Sequence, residues 1–158
     1  MSTYEVNSIG KIYNNEKEVY IKLDTKFIPA LKALKGFSHI NIIWWFSDFD
    51  SSEYRTILQT SQPYKKAPEK MGIFATRSPI RPNHLALSTV EIMYIDYQNG
   101  IIRISYIDAN NGSTILDIKP YTPSLDRIES PNVPEWCDPW PKSLEESADF
   151  AWEDEFNF

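Results

Sequence analysis

Arg77-Ser78-Pro79-Ile80-Arg81-Pro82-Asn83 packs two arginines and two prolines into seven residues, directly before the apolar-rich run Leu85 to Ile95. Pro79 and Pro82 fix their own φ angles and push Ser78 and Arg81 toward extended backbone. Such stiffness presents the side chains of Arg77, Ser78 and Asn83 at low ordering cost. A guanidinium suits bidentate grip on a carboxylate or phosphate. The residues alone leave two readings open, a ligand grip or a rigid turn with surface arginines. A second constellation is Ile115-Leu116-Asp117-Ile118-Lys119-Pro120-Tyr121. A strand here points Leu116 and Ile118 one way and Asp117, Lys119 and Tyr121 the other. That row of acid, base and phenol is either an active-site wall or an exposed face whose salt bridge is worth little.

Other chemistries find little support. Neither a P-loop nor a GxGxxG occurs, which removes Walker-type and Rossmann-type nucleotide sites. Asp108-Ala109-Asn110-Asn111-Gly112 starts like a calcium loop, but its twelfth position is Lys119 where a bidentate glutamate belongs. Cys137 is the sole cysteine and His39 and His84 the sole histidines, which excludes an intramolecular disulfide and argues against a metal site. His39, on an apolar segment, reads as a satisfied core residue rather than a catalytic base.

The elements that must position these residues follow from periodicity. Glu5–Tyr13 and Glu18–Leu23 read as strands joined by a turn at Asn14-Asn15, and Phe27–Gly36 as a short helix with Pro29 in its first turn. His39–Phe46 is a buried strand, 47–71 a polar excursion, and Ile73–Thr76, Leu85–Asp96, Ile101–Ala109 and Thr114–Ile118 further strands. Asn99-Gly100 and Asn110-Asn111-Gly112 are turn signals. After Pro120 the chain turns Pro-rich, and Leu144–Glu155 suggests a terminal acidic helix.

The expected fold is mainly β, a single-domain antiparallel barrel-like body over 1–128 with one or two short helices. An extended, Pro-rich acidic tail, 129–158, packs on or beside it. The 158 residues carry a net charge of −6, but Glu129 to Phe158 hold nine acids and one base, leaving the body at +2. A basic footprint for nucleic acid is weak, apart from Lys65, Lys66, Lys70, Arg77 and Arg81. No apolar run approaches a membrane span, and the N-terminus lacks signal-peptide character, so the expected setting is the cytoplasm. The tail's expected state is a solvated acidic helix, with packing of its tryptophans against the barrel or a partner subunit as the second choice and a lid that mimics nucleic-acid charge as the third.

Three blocks, GFSHINIIWWF (36–46), IFATRSPIRPNHLALS (73–88) and NGSTILDIKPYTPSLD (111–126), together resemble the TsaA/TrmO family, the tRNA methyltransferase O proteins. The resemblance implies a small β-barrel methyltransferase that binds S-adenosylmethionine without a Rossmann domain, usually as a homodimer. It implies as acceptor N6 of threonylcarbamoyl-adenosine in the anticodon loop of tRNA. Carried over, Arg77 and Leu87 lie at the cofactor, Ser78, Pro79 and Asn83 shape its loop, and Gly112 and Ser113 close over it. Asp117, Lys119 and Tyr121 fall on the acceptor side. Departures from the pattern are the missing PRQ-like segment, Ser47-Asp48 for a His-Gln pair, His84-Leu85-Ala86 for Pro-Ile-Gly, and Asn111-Gly112-Ser113-Thr114 for a DGTP turn. They leave a small-molecule acceptor, or a ligand-binding module without catalysis, as alternatives.

Overall fold

Alternation of apolar and polar residues closes a barrel. The computed structural model describes residues 2–158. Its strands are β1 (Gly10–Asn14), β2 (Val19–Leu23), β3 (His39–Trp45), β4 (Gln59–Ser61), β5 (Lys70–Gly72), β6 (Leu85–Asp96), β7 (Ile101–Ile104) and β8 (Thr114–Pro120). Six of them form a closed antiparallel barrel in the order β1-β2-β7-β6-β3-β8, and β4 pairs with β5 in a separate two-stranded sheet. The mainly β, barrel architecture expected from the sequence is the one found. Two compact units result: residues up to Ser51 with Asn83–Arg127, and Ser52–Pro82 with Ile128–Phe158. The stretch 129–158, read as a tail, thus forms its unit with 52–82. Among the described residues, no helix is long and apolar enough to cross a membrane.

Within the barrel, every second residue points inward. Ile12, Ile21, Ile40, Ile42, Ile102 and Ile115 are fully buried and share one core with Trp44, Val90 and Ile104. Each such side chain contributes roughly 1.5–3 kcal/mol relative to exposure. Strand β3 therefore alternates Ile40, Ile42 and Trp44 inward with half-buried Asn41, Ile43 and Trp45, rather than being buried on both faces. The twelve-residue β6 pairs with β3 over Leu85–Glu91 and with β7 from Ile92 onward, and a bulge at Met93 interrupts the β7 pairing. Gly10 sits where a Cβ would collide with the Lys22 carbonyl, so no larger residue fits this crossing of β1 and β2. Gly112 adopts φ +85°, as its turn requires.

Several sequence expectations needed correction. The short helix expected at 27–36 is a 3-10 helix over 25–31; it ends there because Lys32 leaves helical backbone and Ala33 adopts φ +70°. Residues 73–75 form a 3-10 turn rather than a strand, β1 starts at Gly10 rather than Glu5, and β7 ends at Ile104 rather than Ala109. The acidic helix is confined to α2, Leu144–Ala148, after a short α1 at Pro123–Asp126. Ser143 caps α2 by accepting from the Glu146 amide at 3.1 Å. Asp149, beyond its other end, opposes the helix dipole there.

The second unit is built on aromatic rings. Trp136 stacks on Tyr64 with centroids 5.6 Å apart, Trp140 meets Tyr64 edge-on at 4.8 Å, and Trp152 meets Trp140 at 5.2 Å. The tail is therefore packed through its tryptophans, not a solvated helix. Burial raises the Tyr64 phenol above its ordinary value, nearby Arg77 lowers it, and Cys137 raises it again. A phenol with a raised folded-state pKa stays neutral longer than in the unfolded chain, so its contribution is intact below about pH 10 and is lost above. Alkaline unfolding monitored by tryptophan fluorescence should show stability falling as pH climbs past about 10, and Tyr64→Phe should flatten that fall.

Candidate functional site

The three sequence blocks become neighbouring strands. The first supplies β3, the end of the second enters β6, and the third supplies β8, with β3 hydrogen-bonded between the other two. Cross-strand register then builds rows on the outer face of the barrel. Leu87 lies opposite Ile43, which lies opposite Asp117; Thr89 lies opposite Asn41, which lies opposite Lys119. Two strand spacings set Leu87 and Asp117 about 10 Å apart along such a row. Leu85 and Leu87 are exposed large apolar residues there. Ile43, at the centre, carried no role in the sequence reading; the alternation of β3 was the signal that points it outward.

Asp117 is held from two sides. Its Oδ1 accepts from the Ile118 amide at 3.0 Å, and its Oδ2 lies 2.7 Å from Lys119 Nζ. That hydrogen bond and the carboxylate charge raise the Lys119 pKa. The pair is exposed, so it orients the carboxylate more than it stabilises the fold. Register also skips Leu116: Ile43 pairs with Asp117 and Trp44 with Ile115. This bulge changes the phase of β8, so Ile115 and Ile118 both face the core, and Leu116 does not pair with Ile118 as strict alternation predicted. Tyr121 follows the strand; its amide donates to the His39 carbonyl at 3.0 Å and its ring meets the His39 ring at 6.3 Å. Asn41 links the face further, accepting from Thr89 Oγ1 at 2.7 Å and donating to Asp126 at 3.0 Å.

Gly112 and Ser113 lie elsewhere, at the end of the barrel against β1. The Gly112 amide donates to the Ile12 carbonyl at 2.8 Å, and the Ser113 carbonyl accepts from the Ile12 amide at 2.9 Å. Ser113 is 4% exposed and lines a cleft of ≈ 230 Å³ with Trp44, Phe46, Asp48, Asp108 and Asn110. Asn110 donates to Asp48 at 2.6 Å. Two carboxylates beside aromatic rings give this cleft a preference for cations. His39 is half-buried and shares a 2.8 Å hydrogen bond with the Ser38 hydroxyl, so it is not the core histidine expected. The fully buried histidine is His84, with Nε2 3.8 Å from Asp50, and nothing in the sequence pattern marked it.

In the second unit the stiff loop divides the work of its arginines. Arg81 folds back, its Nη1 donating to the carbonyls of Thr76 at 3.3 Å and Ser78 at 3.2 Å. The Ser78 hydroxyl accepts from the Ile80 amide at 3.2 Å, and Arg55 donates to the Pro82 carbonyl at 3.2 Å. Ser78 and Pro79 are half-buried, whereas Arg77 is exposed. Arg81 is thus bonded to its own loop, and Arg77 is the exposed one of the two. Asn83, the first residue of the barrel unit after the loop, is exposed and accepts from the Leu85 amide at 2.7 Å.

With this geometry in place, comparison with known proteins gives the class and then the family. The fold is a closed barrel without a Rossmann sheet. Residues 9–127 match the tRNA-methyltransferase O N-terminal domain, and the chain belongs to that family, the TsaA/TrmO proteins, which use S-adenosylmethionine as methyl donor. A probable S-adenosyl-L-methionine-binding protein of Methanocaldococcus jannaschii is 37% identical over 123 residues, 78% of this chain and 96% of that protein. The tRNA (adenine(37)-N6)-methyltransferase of Escherichia coli is 32% identical over 121 residues, 75% of this chain and 51% of that enzyme. The crystal structure of TrmO from Pseudomonas aeruginosa superposes with a TM-score of 0.62 at 25% identity, covering 83% of this chain and 62% of that one. The chain therefore spans nearly all of the archaeal relative and about half of the Escherichia coli enzyme.

Removing the Arg81 guanidinium should cost the second unit about 1.5–3 kcal/mol, the range for hydrogen bonds from a charged donor. Urea denaturation of Arg81→Ala followed by tryptophan fluorescence measures it; an unchanged midpoint would mean that these bonds contribute nothing net.

Proposed function

We propose that this protein transfers a methyl group from S-adenosylmethionine to the exocyclic N6 amine of an adenosine in tRNA, as the name of the Escherichia coli relative states for that enzyme, and that it does so as a homodimer in the cytoplasm. The observation that carries this reading is the row Leu87–Ile43–Asp117, which draws one residue from each of the three sequence blocks onto neighbouring strands.

The residues fit the cofactor's chemistry. Arg77 is an exposed guanidinium suited to a carboxylate. Exposed Leu85 and Leu87 offer apolar surface to a nucleoside ring. Ser113, 4% exposed, lines the cleft with Trp44 and Asp48. Asn83 and the Ser78-Pro79 turn set the course of the chain on either side of Pro82, and Gly112 sets the turn before Ser113. When bound, S-adenosylmethionine supplies an electrophilic methyl on a sulfonium.

What the chain itself contributes is alignment and a proton acceptor. A displacement of this kind is accelerated mainly by holding the reacting atoms in line. The amine must also lose a proton, and Asp117 is the base. Its carboxylate keeps lone pairs beyond those engaged by the Ile118 amide and Lys119. Lys119 holds it in one orientation and Tyr121 extends the same face toward the acceptor. An amine nitrogen that has gained a methyl is strongly acidic, so a carboxylate already accepting two hydrogen bonds is basic enough.

Transfer of labelled methyl from S-adenosylmethionine to unfractionated tRNA tests the reading. Asp117→Asn should lower turnover about 10²–10⁴-fold, the usual contribution of a positioned base, while leaving cofactor affinity unchanged. Undiminished turnover would remove Asp117 from the mechanism. Cofactor binding without label in any tRNA would turn the acceptor reading toward a small molecule.

A further inference from the structure

Residues 128–158 lie beyond the family match, which ends at 127, and the family motifs give them no task. Their packing does. The Tyr64 ring is stacked by Trp136 and met by Trp140 and Phe156, the last at 5.8 Å. Backbone bonds follow the same line: Lys65 N–H donates to the Glu155 carbonyl at 3.0 Å and Asn157 N–H to the Pro63 carbonyl at 3.1 Å. Asn157 also donates from its side chain to the Gln62 carbonyl at 3.1 Å. Residues 62–65 are thus clasped by 155–157 together with the tryptophans.

From that clasp to Arg77 the chain is short and continuously bonded. Gln62 closes the 62–69 loop, its side chain donating to the Ala67 carbonyl at 2.6 Å and its amide to the Glu69 carbonyl at 2.9 Å. The loop joins β4 to β5, which pair Thr60 with Met71, and the Ile73 amide donates to the Leu58 carbonyl at 2.9 Å. The 73–75 turn then delivers Thr76, whose buried hydroxyl donates to the Ile73 carbonyl at 2.8 Å and accepts from the Ser78 amide at 3.2 Å. Arg77 is the residue between those two anchors. Electrostatics agree, since Arg77 acts on the Tyr64 phenol.

We propose that the 128–158 segment positions Arg77 for the cofactor's carboxylate, through Tyr64, Trp136 and Trp140 acting on the β4–β5 loop. The inference rests on the proposed role of Arg77. An arginine on a mobile loop loses binding free energy to ordering when a ligand arrives; the same arginine on a clasped loop does not. Trp136, Trp140 and Tyr64 are accordingly positioning residues that touch no ligand themselves.

A double-mutant cycle on the full-length protein tests this. Calorimetric titration compares S-adenosylmethionine with 5′-methylthioadenosine, which lacks the carboxylate. Trp140→Ala should weaken S-adenosylmethionine about tenfold, within the range for residues coupled through one network, and leave 5′-methylthioadenosine unaffected. Trp140→Phe should restore most of the loss. In an Arg77→Ala background, Trp140→Ala should add less than about twofold. Trp136→Leu serves in the same cycle if Trp140→Ala does not fold. Multiplying effects of the two substitutions, an equal loss for both ligands, or unchanged affinity in Trp140→Ala would each overturn the proposal and leave the role of Arg77 intact. If Arg77→Ala alone binds S-adenosylmethionine as the wild type does, the carboxylate role falls, and the positioning proposal with it.

Discussion

Strand β3 is hydrogen-bonded to β6 along one edge and to β8 along the other, and its alternation decides what both neighbours present. Ile40, Ile42 and Trp44 must face the core, because moving them outward would forfeit roughly 1.5–3 kcal/mol apiece. Once they do, Asn41 and Ile43 have no choice but to face outward, and in-register pairing brings Leu87 and Asp117 to the flanks of Ile43. A slip of one residue would reverse every one of these assignments. The candidate chemistry on the barrel is therefore a by-product of core packing, held in place by the burial of Ile40, Ile42 and Trp44.

The bulge in β8 refines this arrangement. It lets Ile115 fill the core at one end while Ile118 does so nearer the other, and the polar residues Asp117 and Lys119 stay outward together. The second unit solves a different problem. With little apolar core of its own, the 52–82 excursion depends on tryptophans more than seventy residues from Tyr64 in sequence, and half-buried Glu155 accepts from Trp140 Nε1.

How much of this was legible in the sequence depended on the range of the forces involved. Strands β2, β3, β6 and β8 were readable because residue alternation and turn chemistry at Asn99-Gly100 and Gly112 are local. The face shared by Asp117 and Lys119 was readable for the same reason. The phase of Leu116 was not, since a bulge is set by pairing with β3 and leaves no local mark. The short helix at 27–36 was legible, but not its 3-10 form or its end at Leu31, where Ala33 turns to positive φ, and the acidic helix stopped at Ala148 as negative charge accumulated at its carboxyl end. The two arginines of the stiff loop looked equivalent in sequence; only the fold of the loop assigns Arg81 to its own carbonyls. The clasp of 155–157 on 62–65 was invisible, since contacts at that separation in sequence follow no period.

The outer face of β6, β3 and β8 is the part of the barrel proposed to meet the cofactor. Amide chemical-shift mapping on the isotopically labelled protein, titrated with S-adenosylmethionine, reads that face residue by residue. The largest barrel shifts are expected at Ile43, Leu87 and Asp117. Saturable binding that leaves Ile43, Leu87 and Asp117 unmoved would contradict that proposal.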